Sequence, residues 1–289
     1  MKTDKLISLC ENEYKMQVDK ISDYVIMHPE IRLILVAGPS CSGKTTTSSL
    51  LSEQLYKKAG ITSYTISIDD FYKDVNLQPG EDIKERDFEA IESIDLDLLH
   101  LCLHDLSVGK TVDIPLFDFE KTYRNGIRNT ITLKDKDIAI IEGLHALNPI
   151  IYENFVEKEK ICKVFLDCVD VTLSKFDEKK PRLLRRLVRD SNFRNADAYL
   201  TFLLWVNVLK GERKYIYPFK NQADFCINTF HTYETALLKP FAKKLLKKVK
   251  KDSEYYADAL DALNFLKKIK GRVKAKQVPE DSLLREFVG

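Results

Sequence analysis

The chain has 289 residues, enough for one large α/β domain or two small ones with a sizeable core. Its 46 lysine and arginine residues nearly balance its 44 aspartate and glutamate residues, so no general attraction to nucleic acid or to a membrane is expected. The apolar runs are too short to span a bilayer. The six cysteines form no C-x-x-C pair and follow no secretory segment. We therefore expect a globular, cytoplasmic protein with free thiols.

The predicted elements begin with a helix and then alternate between strand and helix. Residues 4–27 repeat apolar side chains every three or four positions, and Pro29 ends this helix. Apolar segments of strand length follow at 31–37, 63–68, 138–143, 163–168 and 224–229. Helical patterns occur at about 45–59, 93–108, 148–157, 182–210 and 232–250. This alternation predicts a mostly parallel, doubly wound sheet, whose ligands bind at the carboxyl ends of the strands.

Two segments differ from this alternation. Residues 71–92 are polar and have no clear period, which predicts a long loop over the site. Beyond Pro240 the chain is helical and rich in lysine, and its apolar and basic residues lie on different faces. We expect a surface helix packed on the core, with membrane or partner binding as the alternative.

The most informative segment is 38–45, which matches G-x-x-x-x-G-K-[ST] in full. It lies between a strand and a helix, as a phosphate-binding loop should, and we call it the phosphate loop. Its small residues let backbone N–H groups point at phosphates, while Lys44 supplies a mobile cation and Thr45 a hydroxyl for Mg²⁺. The predicted nucleotide contacts are Gly38, Pro39, Ser40, Cys41, Ser42, Gly43, Lys44, Thr45 and Thr46. Cys41 fits as a small residue, and a redox-sensitive thiol is the alternative.

Carboxylates follow two of the predicted strands. Asp69 and Asp70 come after 63–68, and Glu142 lies in the segment 138–143. A hydroxyl that accepts a phosphoryl group needs a positioned carboxylate, so one of the two aspartates is expected there while the other caps a turn. Glu142 is expected to hold Mg²⁺ or its waters.

The segment 182–194 contains five arginines and no lysine. Arg182, Arg186 and Arg189 are spaced four and three apart, so they share one helix face. Clustered guanidiniums can neutralise the charge on a transferring phosphoryl group, and arginine suits phosphate better than lysine does. A solvated basic helix face is the alternative.

In their order and spacing, these motifs resemble the uridine kinase and phosphoribulokinase family of phosphate-loop kinases over roughly residues 30–240. The matching motifs are the phosphate loop, IDDFY at 68–72, LFDF at 116–119, IIEG at 140–143 and RRLVRD at 185–190. Bacterial nucleoside kinases of this family also share segments such as the C-terminal PEDSLLREFVG. The resemblance implies a P-loop NTPase-type α/β fold with an arginine-bearing lid helix and extra N- and C-terminal helices.

The same resemblance implies a division of the chain and a set of site residues. The divisions are an N-terminal helical extension (1–30), a kinase core (31–240) with its lid at about 178–200, and a C-terminal helical segment (241–289) packed on the core. The implied catalytic residues are Lys44, Asp69, Arg186 and Arg189. The implied acceptor contacts are Asp69, Tyr72, Glu92, Phe117, Thr122 and Arg186. Arg189 and Arg194 would contact the nucleotide, and Thr45, Asp69 and Glu142 would hold the metal.

Three positions depart from the family pattern. Phe117 and Thr122 stand where relatives have a tyrosine and a histidine that help hold the pyrimidine ring. Asn195 replaces a glycine that follows the last lid arginine, which would stiffen the lid hinge. The resemblance therefore supports kinase activity more directly than it supports a pyrimidine acceptor.

The leading hypothesis is a nucleoside kinase that transfers the γ-phosphate of ATP or GTP, with Mg²⁺, to the 5′-hydroxyl of a nucleoside, foremost uridine or cytidine. One alternative is a kinase of another small alcohol, such as a sugar phosphate or a pantothenate-like acid. Another is a catalytically weak, nucleotide-binding regulatory relative. The expected partner is a small molecule, without nucleic acid or membrane, in a chain that could form a homo-oligomer.

Overall fold

A parallel β-sheet forms the centre of the molecule. The computed structural model describes residues 3–74, 89–118, 121–173 and 177–289. The strands are β1 (Leu33–Ala37), β2 (Ser63–Ser67), β3 (Thr111–Asp118), β4 (Tyr123–Thr132), β5 (Ile138–Glu142), β6 (Ile161–Asp167) and β7 (Phe225–Asn228). The sheet has the order β2-β5-β1-β6-β7, with all neighbours parallel. The prediction of a doubly wound α/β fold is confirmed.

Helices cover both faces of this sheet. In chain order they are α1 (Thr3–Met27), α2 (Lys44–Ala59), α3 (Leu96–Ser107), α4 (Pro149–Tyr152), α5 (Lys180–Phe193), α6 (Ala198–Gly211), α7 (Glu234–Leu246), α8 (Tyr256–Lys268) and α9 (Arg285–Val288). Strand β1 explains the layers, because alternate side chains of a strand point to opposite faces. Ile34 belongs to the hydrophobic cluster that contains apolar side chains of α1, α2 and α5 to α9. Leu35 belongs to the second cluster, which contains those of α3, α4 and the β3–β4 pair.

The predicted helix at 182–210 is two helices. Helix α5 ends at Phe193, and Asn195 then adopts a left-handed backbone with φ of 50°. The Asp197 side chain accepts a hydrogen bond from the backbone N–H of Leu200 and begins α6. Asparagine tolerates the left-handed region and aspartate is a favoured N-cap, so these residues separate the helices.

The predicted helix at 148–157 is only one turn long, because Glu153 is extended and Asn154 has φ of 68°. Helix α7 follows the prediction better. It buries Leu246 against the core and exposes Lys243 and Lys244. It also crosses the expected boundary at residue 240, so the division of the chain stays a prediction. Within the described residues, no helix has the length and apolar composition needed to cross a bilayer.

The antiparallel pair of β3 and β4, which we call the β-ribbon, was not predicted. Most side chains of β4 are exposed, so its sequence lacks the apolar alternation that indicates a strand. Ion pairs attach the ribbon to the rest of the molecule: Arg128 binds both carboxylate oxygens of Asp70, at 2.6 and 2.7 Å, and Arg124 pairs with Asp95. Asp70 therefore anchors the ribbon, while the turn at Asp69 is capped by Ser67.

Candidate active site

The phosphate loop follows β1 and enters α2 through two tightly constrained glycines. A Cβ atom at Gly38 would lie 2.4 Å from the carbonyl oxygen of Leu166, and Gly43 has φ of 84°. Only glycine fits either position without strain. The ammonium of Lys44 turns back over the loop and donates to the carbonyls of Gly38 and Pro39, at 3.0 and 3.3 Å. The loop backbone is therefore shaped for an anion, and the ammonium of Lys44 is held against the loop.

Two carboxylates meet the loop at the same sheet edge. The hydroxyl of Thr45 donates to Glu142 at 3.4 Å, and Glu142 pairs in register with Ser67 of β2, two residues before Asp69. Burial raises the pKa of Asp69, and Lys44 opposes that rise. Burial also raises the pKa of Glu142, again against Lys44. The elevated pKa values indicate that both acids are drawn out of water next to one cation.

The oxygen atoms here suit Mg²⁺. That ion is typically held by one or two carboxylates together with water and phosphate oxygens, rather than by a full set of protein ligands. In the described part of the chain no three histidine, cysteine, aspartate or glutamate side chains converge on one point. The hydroxyl of Thr45 with the carboxylates of Glu142 and Asp69 is the donor set that this pattern needs.

A third acid, Glu89, also lies in this cleft. Burial raises its pKa to about 7, against the effect of Arg186, with Asp69 and Lys44 among the other charges that act on it. Its backbone carbonyl accepts a hydrogen bond from His145 at 3.0 Å. Glu92, the acid expected from the sequence, is exposed, and its carbonyl accepts from Lys73. The charge of Asp69 therefore acts on Glu89, whereas the side chain of Glu92 is exposed.

The expected acceptor contacts divide between two places. The rings of Tyr72 and Phe117 meet with their centroids 5.6 Å apart, and the backbone N–H of Phe117 donates to Asp70. Thr122 is exposed on the β-ribbon, with φ of 62°. Most of the 71–92 segment, residues 75–88, lies outside the described residues. The aromatic pair therefore includes Tyr72, three residues after Asp69, whereas Thr122 lies in the turn between β3 and β4.

The arginines of α5 form two sets. Arg182 and Arg185 are 2% and 0% exposed, so the solvated-face alternative is wrong for them. Arg182 binds Glu212 through two hydrogen bonds and donates to the carbonyl of Ser40. Arg185 binds Glu234 in the same bidentate way and donates to the carbonyl of Cys41, at 3.0 Å. These two arginines hold the backbone of the phosphate loop.

The second set faces the cleft and shares one carboxylate. Arg186 donates to the hydroxyl of Ser40 at 3.1 Å. Asp190 pairs with Arg186, Arg189 and Arg194 at 3.2, 3.0 and 3.8 Å. Asp190 thus keeps three guanidiniums together at the mouth of the loop, where they can meet an anion.

Several contributors were not identified from the sequence. The sequence spacing does indicate a role for Asp190, because it lies four residues after Arg186 on the same helix. No sequence pattern indicates the roles of Glu212 and Glu234, because their pairing with α5 depends on the tertiary fold. Cys41 is 3% exposed and has φ of 62°. That burial agrees with its role as a small loop residue.

Sequence comparison finds relatives that are named uridine kinase. A uridine kinase of Schizosaccharomyces pombe is 34% identical over 192 residues, covering 65% of this chain and 37% of that protein. A uridine kinase of Staphylococcus haemolyticus is 32% identical over 196 residues, covering 68% of this chain and 86% of that protein. The chain thus spans little more than a third of the yeast relative and most of the bacterial one.

Two solved structures share the fold at lower identity. One, from Silicibacter sp. TM1040 and provisionally named a fructose transport system kinase, has a TM-score of 0.55 and 20% identity over 73% of this chain and 98% of its own. The other, from Bacillus stearothermophilus and provisionally named a uridine kinase, has a TM-score of 0.52 and 19% identity over 73% and 97%. These likenesses concern the fold alone.

A family model decides the assignment. The model described as the phosphoribulokinase / uridine kinase family matches residues 33–236, the stretch that runs from β1 through the phosphate loop, the acidic cluster and α5 into α7. With that match and relatives above 30% identity, the chain belongs to the phosphoribulokinase and uridine kinase family and is an ATP-dependent kinase with an alcohol acceptor.

Proposed function

We propose that this protein is a nucleoside kinase, transferring the γ-phosphate of ATP or GTP to the 5′-hydroxyl of a nucleoside, with uridine and cytidine as the leading acceptors. The observation that carries the proposal is the meeting of Lys44 and Thr45 with Asp69 and Glu142 at one sheet edge. The relatives named uridine kinase support the acceptor class.

The proposed mechanism uses positioning and charge. Asp69 orients the acceptor hydroxyl and takes its proton as the oxygen attacks the γ-phosphorus and the bond to the β-phosphate breaks. A raised pKa makes its carboxylate a better base. Lys44, Arg186 and Arg189 balance the charge on the transferring group. Mg²⁺ would be held by Thr45 and Glu142 and would neutralise charge on the phosphates, while the carboxylate of Asp69 is left to take the proton.

On the acceptor side, we assign the nucleoside to the space bordered by Tyr72, Phe117 and Glu89. An apolar ring pair suits the flat face of a base or sugar, and a carboxyl group suits hydroxyl or amino groups. Arg189 and Arg194 are assigned to the nucleotide, and Thr122 stays a predicted acceptor contact.

The two glutamates give a direct test of the acceptor side. Glu89→Ala should raise the KM for the nucleoside about fivefold, because one lost hydrogen bond to a polar group is worth on the order of 1 kcal/mol. Glu92→Ala serves as the matched control and should leave that KM within about twofold. Initial rates at saturating ATP measure both. If Glu92→Ala raises the KM and Glu89→Ala does not, the assignment of Glu89 fails.

The acceptor itself is tested with a substrate panel. Purified protein with Mg²⁺ and ATP or GTP is offered uridine, cytidine, purine nucleosides, sugar phosphates and pantothenate, and acceptor-dependent release of the diphosphate is measured. We expect the fastest release with a pyrimidine nucleoside. Release with a sugar phosphate or pantothenate alone would favour the other small-alcohol kinase. Nucleotide binding without turnover on any acceptor would favour the regulatory relative.

Two further predictions accompany this proposal. We expect a cytoplasmic protein that binds a small molecule rather than nucleic acid or membrane, in a chain that could form a homo-oligomer. Light scattering of the purified protein gives the number of chains.

A further inference from the structure

The last residues of the chain dock against the start of α2. Leu283, Leu284 and Phe287 are each fully buried, in the same core cluster as α1, α2 and α5. The hydroxyl of Ser282 donates to Glu11 of α1 at 2.6 Å. The C-terminal PEDSLLREFVG segment is therefore a fixed part of the core beside the phosphate loop. The sequence motifs of the site did not predict this position.

Leu283 contacts the phosphate loop itself. A Cβ atom at Gly43 would lie 2.4 Å from Cδ1 of Leu283, so the leucine fills the space that the missing side chain leaves. Gly43 has φ of 84° and immediately precedes Lys44. The leucine thus closes the outer side of the loop at the residue where the backbone turns into α2.

Glu286 contacts the next turn. The hydroxyl of Thr46 donates to the Glu286 carboxylate at 2.9 Å, one residue after the phosphate loop ends. A carboxylate is favourable there because the N-terminal end of a helix carries partial positive charge. Glu286 also acts electrostatically on Arg189, one of the cleft arginines of α5. One side chain therefore holds a hydrogen bond at the start of α2, and its charge acts on the arginine helix.

Phe287 completes the connection. Its ring lies 5.1 Å from the guanidinium of Arg185, which donates to the carbonyl of Cys41 within the loop. The backbone carbonyl of Phe287 accepts a hydrogen bond from Asn192 of α5, at 3.0 Å. The tail thus touches the loop directly through Leu283 and indirectly through an arginine that holds the loop backbone.

We propose that Leu283 and Glu286 are positioning residues of the donor-nucleotide site, so that nucleotide affinity depends on the docked C-terminal segment. They act through Gly43 and Thr46 and hold the turn from loop to helix in the shape that receives phosphates. A small displacement of this turn should weaken nucleotide binding, because binding groups must be held within a fraction of an ångström. The inference rests on the nucleotide-binding half of the proposed function and not on the acceptor.

The contacts of Glu286 allow an opposite role that the test separates. A carboxylate at the start of α2 could instead compete with the nucleotide phosphates for Thr46 and Arg189. Removing it would then tighten nucleotide binding, because like charges repel. The positioning role requires the reverse sign.

The experiment measures the Kd of Mg·ADP by titration calorimetry for four proteins. Glu286→Ala should weaken binding about fivefold, as expected for one lost hydrogen bond. Glu286→Gln keeps an oxygen that accepts from Thr46 and should return the Kd to within about twofold of the wild type. Glu280→Ala, an exposed acid of the same segment, is the matched control and should leave the Kd unchanged. The wild type is the fourth protein.

Leu283→Ala is compared with Leu266→Ala, a substitution of an equally buried leucine in α8. Both should lower the melting temperature, since each leaves a core cavity. Only Leu283→Ala should weaken Mg·ADP binding, by about tenfold. If this variant does not fold, the partly exposed Glu286 series decides alone.

Equal Kd values for Glu286→Ala and Glu280→Ala would overturn the proposal, and so would tighter binding by Glu286→Ala. Because ADP binding needs no acceptor, a protein that binds ADP but phosphorylates no nucleoside would contradict the proposed function, while the same Kd values would still decide the role of Glu286.

Discussion

Asp69 and Asp70 are adjacent and have the same side chain, but their surroundings give them different roles. Asp70 is 3% exposed and is neutralised by the guanidinium of Arg128, so it serves the β-ribbon. Burial raises the pKa of Asp69, and the nearby charge of Lys44 opposes that rise. The proton of an attacking hydroxyl needs a base that is close and not already committed to an ion pair. Only Asp69 meets that requirement.

Substitution of each aspartate should separate the two roles. Asp69→Asn should lower kcat by about 10²–10⁴, the usual contribution of a general base, with the Kd for ADP nearly unchanged. Asp70→Asn should instead lower the melting temperature, because it weakens the attachment of the ribbon through Arg128. Steady-state kinetics and thermal unfolding of both variants provide the measurements. Unchanged turnover in Asp69→Asn would remove Asp69 from catalysis and favour the regulatory relative.

At the scale of elements, the buried carboxylate of Glu11 connects helix α1 to the C-terminal segment. Glu11 accepts hydrogen bonds from the hydroxyls of Tyr233 and Ser282, and the ring of His231 lies 3.7 Å away. Burial alone would raise the pKa of Glu11, but these neighbours outweigh it and lower the pKa below 4.5. The ionised carboxylate therefore stabilises the docking of α1 against the C-terminal segment.

This linkage predicts an acid-sensitive contribution to stability. The stabilisation from Glu11 should be complete above its unfolded pKa of 4.5 and be lost as the pH falls through the lower folded value. Glu11→Gln should cost about 1–3 kcal/mol near pH 7, and the gap from the wild type should close at acid pH. Urea unfolding at several pH values measures it. Glu13→Gln, on the exposed face of α1, is the control; parallel curves for Glu11→Gln and the wild type would contradict the linkage.

The whole molecule takes part in the nucleotide site. The phosphate loop, Asp69, Glu142, α5 and the C-terminal segment come from distant parts of the chain and meet at one end of the sheet. Because these parts also belong to the core, a bound nucleotide should stabilise the folded chain as a unit. Binding and global stability are therefore coupled.

Mg·ATP should accordingly raise the melting temperature. At a concentration of one hundred times Kd the gain is about 2.7 kcal/mol, or about 5 °C for a chain of this size. Chelating the metal should reduce the shift, since Thr45 and Glu142 then hold no cation against the phosphates. Differential scanning fluorimetry measures it, with Lys44→Ala as the variant expected to lose most of the shift. An equal shift in Lys44→Ala would argue that the nucleotide binds elsewhere.

The features predicted from the sequence are those that depend on local patterns. Most strands of the parallel sheet are short apolar runs, and the phosphate loop is a contiguous motif, so the sequence alone indicates both. The β-ribbon was missed because its exposed strand β4 shows no apolar alternation. The pairing of Arg182 with Glu212 was missed because it joins residues far apart in the chain.

The sequence by itself determined the α/β class, the family and the donor side of the site, because loop, strand and helix follow one another within a few residues. Only the tertiary structure decided which side chains share the cleft. It placed Glu89 where the charge of Asp69 acts on it and left Glu92 exposed. It also turned Arg182 and Arg185 inward to hold the loop backbone and brought Leu283 and Glu286 to its outer side. The physical reason is that burial and ion pairing depend on distances through space, which spacing along the chain does not define.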